Sequence, residues 1–300
     1  LTRADGQGES VSLASDWKYH LAHELTAKNR PTRQPGTLFG PEHPHSPAGL
    51  YNGMIAPIVP YTIQGAIWYQ GESNASRAQQ YGKLFPSMIE DWRARWGQGD
   101  FPFLFVQLAN YRNPTDKVVD TDWAHLRDAQ LKALREVKNT GMAVTIDIGA
   151  ANDIHPRNKQ DVGKRLARWA LADTYGKKDV VKSGPLFPAK AHVVGANTLR
   201  LLFEDYGSKL SVRGQAPLQG FAIAGQDGKF VKANATLVHE ENGLFNMSYV
   251  DVWSDRVKDP QQVRYAWEDN PDEANLVNEE GLPASPFRTD SFKGPTDGRR

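Results

Sequence analysis

The apolar positions between residues 61 and 176 predict buried strands alternating with amphipathic helices. Three uninterrupted apolar runs have the length and composition of strands buried on both faces. These runs lie at 63–68, 101–108 and 142–148, and residues at helical spacing follow them over 81–96, 123–137 and 162–170. Pro86 should kink the first helix or start its second half, and the other two helices should end near Gly141 and Gly176.

This alternation predicts an α/β fold with a parallel sheet covered on both faces. Ligands of such sheets bind at the carboxyl ends of the strands. The polar segments of the chain follow the apolar runs, with Gly71 to Asn74 after the first, Asn110 after the second and 152–155 after the third. We therefore expect the functional site at this edge.

From 183 to 270 the apolar period changes to two, which predicts a small antiparallel β domain with a supporting or carbohydrate-facing role. Five prolines between residues 31 and 47 make 1–60 a loop-rich segment that completes the α/β domain. The predicted domains are thus 1–60, 61–182, 183–270 and a loop or tail over 271–300. The expected strands cover 193–203, 221–224, 230–238, 244–252 and 263–267.

Composition excludes several classes of protein. The chain carries 36 basic and 35 acidic side chains, so it lacks the basic excess of most nucleic-acid-binding proteins. It contains no cysteine, which excludes disulfides, thiolate nucleophiles and cysteine-ligated metals. No apolar run reaches the length of about 18 residues that predicts a membrane span. Composition indicates neither the compartment nor the oligomeric state.

His155 is the candidate catalytic base. It lies in the loop beyond the third apolar run, two residues after Asp153. A neutral imidazole can accept a proton from a hydroxyl nucleophile when a carboxylate holds its tautomer and stabilises the imidazolium. An isolated Asp-x-His is usually a surface pair, so the strand-end position is what favours catalysis.

The turn Gly71-Glu72-Ser73-Asn74 has two catalytic interpretations. It could present Ser73 as a nucleophile, although it lacks the second glycine of the Gly-x-Ser-x-Gly turn. It could instead supply oxyanion donors from the Gly71 amide and the Asn74 side chain. A helix cap would use the same residues and is compatible with oxyanion donation, so we favour the two together.

Four segments of uncommon residues occur along the chain. They are Gly65-Ala-Ile-Trp-Tyr-Gln-Gly-Glu-Ser-Asn74, His45-Ser-Pro-Ala-Gly-Leu-Tyr-Asn-Gly-Met-Ile55, Asp153-Ile-His-Pro-Arg-Asn-Lys159 and Glu280-Gly-Leu-Pro-Ala-Ser-Pro-Phe-Arg288. Together they resemble the bacterial sialate O-acetylesterases, a carbohydrate-esterase branch of the SGNH hydrolases. The resemblance covers nearly the whole chain.

The resemblance implies a flavodoxin-like SGNH three-layer fold, incomplete at its N-terminus, with a small antiparallel β domain. It implies a carboxylic ester hydrolase that removes acetyl groups from sugars or glycans by a Ser-His-Asp mechanism, without metal or other cofactor. His155 matches the catalytic histidine of the family, and Asp153 matches the residue beside it. A periplasmic or extracellular location is expected from the family.

Two departures from the family pattern affect the expected site. Many SGNH enzymes place the aspartate three residues before the histidine, where this chain has Asn152, so Asp147 is the reserve for Asp153. The nucleophile of the family lies in an early Gly-Gln-Ser-Asn block that 1–60 does not match. We therefore expect the nucleophilic serine upstream of Leu1, which would leave this chain inactive by itself.

Sugar contacts are expected from several polar side chains near the strand ends. They are Gln70, Glu72, Gln107 and Arg127, with Tyr51 and Asn52 reaching the same mouth from the long loop. Three other functions stay open: deacetylation of acetylxylan or another glycan, carbohydrate binding without catalysis, and a glycosidase with Glu72 and Asp153 as its two carboxylates.

Overall fold

The computed structural model describes residues 48–188, 191–195, 197–241 and 246–299. The chain divides into two units between Ile58 and Val59. The described part of the first unit contains two short helical turns, Tyr51–Ile55 and Ala56–Ile58. The predicted loop-rich segment, as far as residue 47, lies outside the described residues.

The second unit begins with the predicted alternation of strands and helices. Its strands are β1 (Ala66–Trp68), β2 (Phe103–Val106) and β3 (Thr140–Ala143), and its helices are α1 (Ala78–Trp96), α2 (Asp122–Glu136) and α3 (Lys159–Trp169). The strands pair in parallel in the order β1-β2-β3, with Trp68 opposite Phe105 and Val106 opposite Ala143. The predicted parallel sheet is confirmed.

Helices cover both faces of this sheet. Successive side chains of a strand point to opposite faces. Phe103 and Phe105 of β2 belong to the core formed with α1 and α2, whereas Leu104 and Val106 pack in a second cluster with Leu166 and Trp169 of α3. Burial on both faces explains why the strand sequences are continuously apolar.

The helix ends differ from expectation at one glycine. Helix α1 continues through Pro86 to Trp96. Helix α2 ends at Glu136, and Gly141 lies inside β3 instead of capping the helix. A Cβ atom at Gly141 would lie 2.7 Å from the Trp169 ring, so this glycine permits the close approach of α3 to the sheet. After α3, a π-helical turn over Ala170–Thr174 precedes Gly176, whose φ is +66°.

The region of two-residue period forms antiparallel sheets, as predicted. Within the described residues the strands that follow α3 are β4 (Ala191–Val194), β5 (Thr198–Leu202), β6 (Leu210–Val212), β7 (Phe221–Ala224), β8 (Val231–Lys232), β9 (Asn234–Glu241), β10 (Asn246–Trp253), β11 (Gln262–Tyr265), β12 (Leu276–Asn278) and β13 (Phe287–Arg288). They pair as β4-β5-β10-β9, β13-β11-β7-β8 and β12-β6. The strand predicted over 193–203 is a hairpin that turns at Gly195. Residues 242–245, at the predicted turn before β10, lie outside the described residues.

Residues 271–299, predicted to be a loop or tail, contain two short strands and many buried side chains. These strands are β12 and β13, and the Phe287 ring stacks on Phe187 at 4.3 Å between centroids. Arg288 reaches the Asp128 carboxylate on α2 at 3.3 Å. The two strands are only two and three residues long and leave too short a periodic pattern to be read from sequence.

Candidate active site

The turn after β1 is built around Gly71, which is buried and has φ +154°. A Cβ atom there would lie 2.9 Å from the Leu126 side chain, so a glycine is required both for the backbone angle and for the space. The Asn74 amide donates to the Gly71 carbonyl at 2.8 Å. Gln70 Nε2 donates to Asn74 Oδ1 at 3.2 Å, which leaves the Asn74 side-chain NH₂ without an acceptor among the described residues.

Two helix side chains hold this turn on the sheet. Tyr81 Oη on α1 donates to the Gln70 carbonyl at 3.2 Å. Gln130 on α2 accepts from the Leu108 amide at 2.9 Å and donates to the Val106 carbonyl at 3.2 Å, and its amide nitrogen lies 3.5 Å from the Gln70 carbonyl. Gln130 therefore joins the ends of β1 and β2. Its place among the apolar positions of α2 predicted burial, but nothing in the sequence indicated this role.

Ser73 and Glu72 lie at the start of the 3₁₀ turn Glu72–Arg77 that leads into α1. Ser73 is exposed, and the described residues give its hydroxyl no hydrogen-bond partner. Its carbonyl accepts from Arg77 at 3.3 Å. A serine nucleophile needs a base within hydrogen-bond reach, and no base among the described residues is hydrogen-bonded to the Ser73 hydroxyl.

The loop after β3 carries His155 as an exposed side chain. The Oδ1 atom of Asp153 accepts a hydrogen bond from the backbone amide of His155 at 2.9 Å. The imidazole itself has no partner among the described residues. Asp153 thus shapes the loop that presents His155, and the described contacts do not bring its carboxylate onto the ring.

Asp147, the alternative carboxylate for orienting His155, forms an ion pair with Arg165. Its two carboxylate oxygens accept from Arg165 at 2.6 and 2.8 Å, and Arg213 lies 3.3 Å away. The Asp147 side chain is only 9% exposed. A buried bidentate ion pair of this kind fixes α3 against the end of β3 and leaves no oxygen facing His155 among the described contacts.

Asn110 connects the end of β2 to the histidine loop. Its Oδ1 accepts from the Gly149 amide at 2.6 Å, and its Nδ2 donates to Asn270 Oδ1 at 2.9 Å. Asn270 in turn donates to the Arg112 carbonyl at 2.8 Å. A Cβ atom at Gly149 would lie 2.1 Å from the Asn110 carbonyl oxygen, so the two segments touch through their backbones.

The turn after β1 and the segment after His155 also approach each other. Lys159, the first residue of α3, places its ammonium 4.8 Å from the centre of the Tyr69 ring. Burial, and then the negative charge of Glu72, raise the pKa of the Tyr69 phenol to about 12. The phenol is therefore neutral at physiological pH, and its ring packs under the cation.

Gln107 and Arg127 are structural groups, so the expectation that they contact sugar needs correction. Both are fully buried. Gln107 Nε2 donates to the Arg127 carbonyl at 3.1 Å and to the Ser285 hydroxyl at 2.9 Å. The Arg127 guanidinium donates to four backbone carbonyls at 2.7–2.9 Å, those of Leu108, Ala109, Glu268 and Asp269. Burial lowers the pKa of Arg127 to about 9.

Tyr51 and Asn52 lie in the first unit, and their predicted contact with substrate stays a prediction. Glu72 and Gln70 remain at the turn after β1, both partly buried. Across the described ranges, no group of three or more His, Asp or Glu side chains is arranged to hold a metal ion. No helix in those ranges is long and apolar enough to cross a membrane.

Residues 42–172 match the family model described as carbohydrate esterase, sialic acid-specific acetylesterase. The segment over residues 42–172 carries the pattern of this family. The matched segment contains β1 to α3, and with them the Gly71 turn and the His155 loop. The resemblance stated from the four sequence segments is confirmed.

Similar proteins extend the comparison beyond this segment. The chain is 32% identical to sialate O-acetylesterase of Mus musculus over 257 residues, which are 79% of this chain and 46% of that protein. It is 36% identical to the Homo sapiens sialate O-acetylesterase over 152 residues, 46% of this chain and 29% of that protein. A crystal structure of a carbohydrate acetylesterase from Xanthomonas citri superposes with a TM-score of 0.72 at 46% identity, covering 81% of this chain and 54% of that one. The chain spans about half the length of the mouse protein and of the solved structure.

Proposed function

We propose that the full-length protein is a carbohydrate O-acetylesterase, which hydrolyses acetyl esters on sugar hydroxyls. The observation that carries this proposal is the arrangement at one edge of the parallel sheet, where the Gly71–Asn74 turn and the His155 loop follow strand ends inside the matched segment. The three-layer parallel arrangement supports an SGNH-type, flavodoxin-like architecture for the whole catalytic domain.

His155 is the general base of the proposed reaction. Its imidazole would accept the proton of a serine hydroxyl as the serine oxygen bonds to the acetyl carbonyl carbon. The imidazolium would return that proton to the departing sugar oxygen. A water molecule, deprotonated by the same imidazole, would then attack the acetyl-serine and release acetate. The exposed ring of His155 is open to such partners.

Asp153 is the proposed stabiliser of the imidazolium. One of its oxygens holds the His155 backbone amide, and the other has no partner among the described residues. The buried pairing of Asp147 with Arg165 weighs against the alternative carboxylate. We keep Asp153 in this role because it shares a short loop with His155.

The Gly71–Asn74 turn is the proposed oxyanion site. The side-chain oxygen of Asn74 accepts a hydrogen bond from Gln70, and its NH₂ group has no acceptor among the described residues and can donate to the oxyanion. Such a donor aimed at the developing negative charge stabilises the tetrahedral intermediate. Gly71, with no side chain over its amide, would add a backbone donor.

The nucleophile is proposed to be a serine outside residues 48–299. Among the described residues, no serine hydroxyl is hydrogen-bonded to His155, and the Ser73 hydroxyl has no hydrogen-bond partner. A serine-directed fluorophosphonate should label the full-length protein, and peptide mapping by mass spectrometry would locate the label. A label on Ser73 would overturn this assignment.

Product analysis tests the reaction itself. The full-length protein would be incubated with O-acetylated sialic acid and with acetylated xylo-oligosaccharides, and both acetate and reducing sugar would be measured. Acetate without new reducing ends is expected, from one or both substrates. New reducing ends would instead favour the glycosidase with Glu72 and Asp153. Substrate binding without any product would leave a carbohydrate-binding protein and refute the esterase.

A further inference from the structure

A cleft of about 600 Å³ lies on the second unit, apart from the residues assigned above to catalysis. Lys117, Val118 and Val119, from the connection between β2 and α2, form part of its wall. Strands β7, β8, β9 and β10 supply residues to the rest of the lining. Ligand pockets in proteins commonly have volumes of about 300–1,000 Å³, so the cleft has room for a small ligand such as one or two sugar rings.

Trp253 offers a flat surface in this cleft. It ends β10, directly opposite Asn234 of β9, and both residues belong to the lining. Trp253 is half-buried, and among the described residues its ring joins no aromatic pair and its indole N–H has no acceptor. An indole combines an apolar face with a polar edge, which suits the mixed surface of a pyranose ring, whose C–H groups and hydroxyls point in different directions.

Hydrogen-bonding groups surround this indole. Asn234 and Gln219 bring exposed side-chain amides to the lining, and each amide can both donate and accept. Glu268 lies in the same wall, and its Oε2 atom is buried without a hydrogen-bond partner among the described residues. Burial and the neighbouring carboxylates of Asp272 and Glu273 raise the pKa of Glu268 to about 7, so this group can donate as well as accept near neutral pH.

The charges of the cleft are largely balanced by the protein itself. Lys232 pairs with Glu273 at 2.9 Å, and Arg264 pairs with the buried Asp290 at 2.7 Å. Lys117, also in the lining, has no ion pair among the described residues. Self-neutralised walls of this kind favour a neutral, hydroxylated ligand over an anion.

Hydrogen bonds connect the segment that contains Glu268 to the end of β2. The Glu268 carbonyl accepts from Arg127 at 2.7 Å, and Asn270 is bonded to Asn110 at the end of β2. The connection that begins at this strand end also carries Lys117. The cleft wall and the end of β2 are therefore held together by the same hydrogen-bonded segments.

We propose that this cleft binds neutral pyranose residues of the glycan that carries the acetyl ester, an inference resting on the proposed function. Trp253 would stack on a ring, and Glu268, Asn234 and Gln219 would bind its hydroxyls. The cleft would then determine which glycans are deacetylated without taking part in the chemical step.

Binding to the full-length protein tests this site independently of hydrolysis. Xylotetraose, cellotetraose and maltotetraose, none of them acetylated, would be titrated by calorimetry. At least one should bind saturably, and Trp253→Ala should weaken it about tenfold or more, as truncation of a central aromatic contact does. Glu268→Gln should weaken it less, and Tyr175→Ala, an exposed aromatic outside the cleft, should have no effect. Trp253→Leu, which keeps apolar bulk but has no ring, replaces Trp253→Ala with the same expected loss if circular dichroism shows that the alanine variant does not fold. The proposal would be overturned if none of the three oligosaccharides bound. It would also be overturned if the Trp253 and Glu268 variants bound with the affinity of the wild type.

Kinetics separates the cleft from the catalytic site. If the esterase is active, Trp253→Ala should raise KM for an acetylated oligosaccharide about tenfold while leaving the hydrolysis of p-nitrophenyl acetate unchanged, because the small ester carries no sugar residue to bind in the cleft. Equal losses on both substrates would contradict a glycan site. If no ester is cleaved by any variant, the proposed function fails, and the calorimetry still decides the cleft.

Discussion

The side-chain oxygen of Asn110 accepts a hydrogen bond of 2.6 Å from the backbone amide of Gly149. This contact joins the end of β2 to the loop that presents His155. The other end of the same amide holds Asn270, so one side chain fixes two segments that are far apart in sequence. The position of His155 therefore depends on a residue that has no part in the proposed chemistry.

Asn110→Ala should reduce both stability and turnover. It leaves the Gly149 amide and the side-chain oxygen of Asn270 without their partner, which typically costs about 1–3 kcal/mol of unfolding free energy. The loosened loop should lower kcat more than it raises KM. Denaturant unfolding and steady-state kinetics measure the two effects. Asn113→Ala, an exposed neighbour on the same connection, is the control and should change neither. Wild-type kcat in the Asn110 variant would show that the loop holds His155 without this bond.

His155→Ala should lower deacetylation by several orders of magnitude without affecting the fold. The side chain is exposed and has no partner among the described residues, so the unfolding free energy should change by less than about 0.5 kcal/mol. Turnover should fall by several orders of magnitude, because the general base is lost. A residual rate should remain, since binding and oxyanion donors alone sustain about 10³–10⁴-fold catalysis over water in a serine protease without its triad. The exposed His192→Ala is the matched control. A variant that keeps a large part of wild-type kcat would make His155 a surface residue.

Substitution of the two candidate aspartates should have different effects on stability and on activity. Asp147→Asn removes the charged partner of the partly buried Arg165 and should destabilise the protein, by less than the roughly 3–5 kcal/mol that breaking a fully buried pair costs. Asp153→Asn keeps an oxygen for the His155 amide and should fold normally. If Asp153 stabilises the imidazolium, amidation should lower kcat severely, about 10⁴-fold in the serine-protease case. Thermal unfolding and kcat of both variants provide the comparison. Loss of activity in a stably folded Asp147→Asn, with Asp153→Asn active, would reverse the assignment.

The strand ends and their polar turns could be predicted because they depend on local pattern. Continuous apolar runs followed by Gly71 or by Asp153 and His155 are visible within a few residues of sequence. The roles of Arg127 and Asn110 were not accessible in this way. Arg127 binds carbonyls at 108 and 109 and also at 268 and 269, and Asn110 binds Asn270. Which segments meet at a strand end is decided by the packing of the β region, and no local pattern encodes it.

Arg127→Met should destabilise the protein without a specific effect on substrate binding. The change removes donors from four buried carbonyls, and a cost of about 3 kcal/mol or more is expected. Arg127→Lys, with three donors on one atom, should lie between the wild type and methionine. Lys132→Met, exposed on the same helix, should leave stability unchanged. Denaturant unfolding measures all three. A stable Arg127→Lys variant with a strongly raised KM would restore the sugar-contact interpretation.

Glu268 should make stability fall as pH rises towards and through neutrality. Its pKa lies near 4.5 in the unfolded chain and is raised to about 7 in the folded one, so the folded state holds the extra proton between these values. Burial and the negative charges of Asp272 and Glu273 raise this pKa, and the positive charge of Lys232 opposes the rise.

The Glu268→Gln variant has no carboxyl group to titrate at this position. It should match the wild type at pH 4 to 5 and exceed its unfolding free energy above pH 7 by on the order of 1 kcal/mol, the value being reduced by solvent screening at this partly exposed site. Denaturant unfolding across this range, with the exposed Glu90→Gln as control, measures the difference. A gap between Glu268→Gln and wild type that does not change with pH would mean that Glu268 is already charged in the folded protein at low pH.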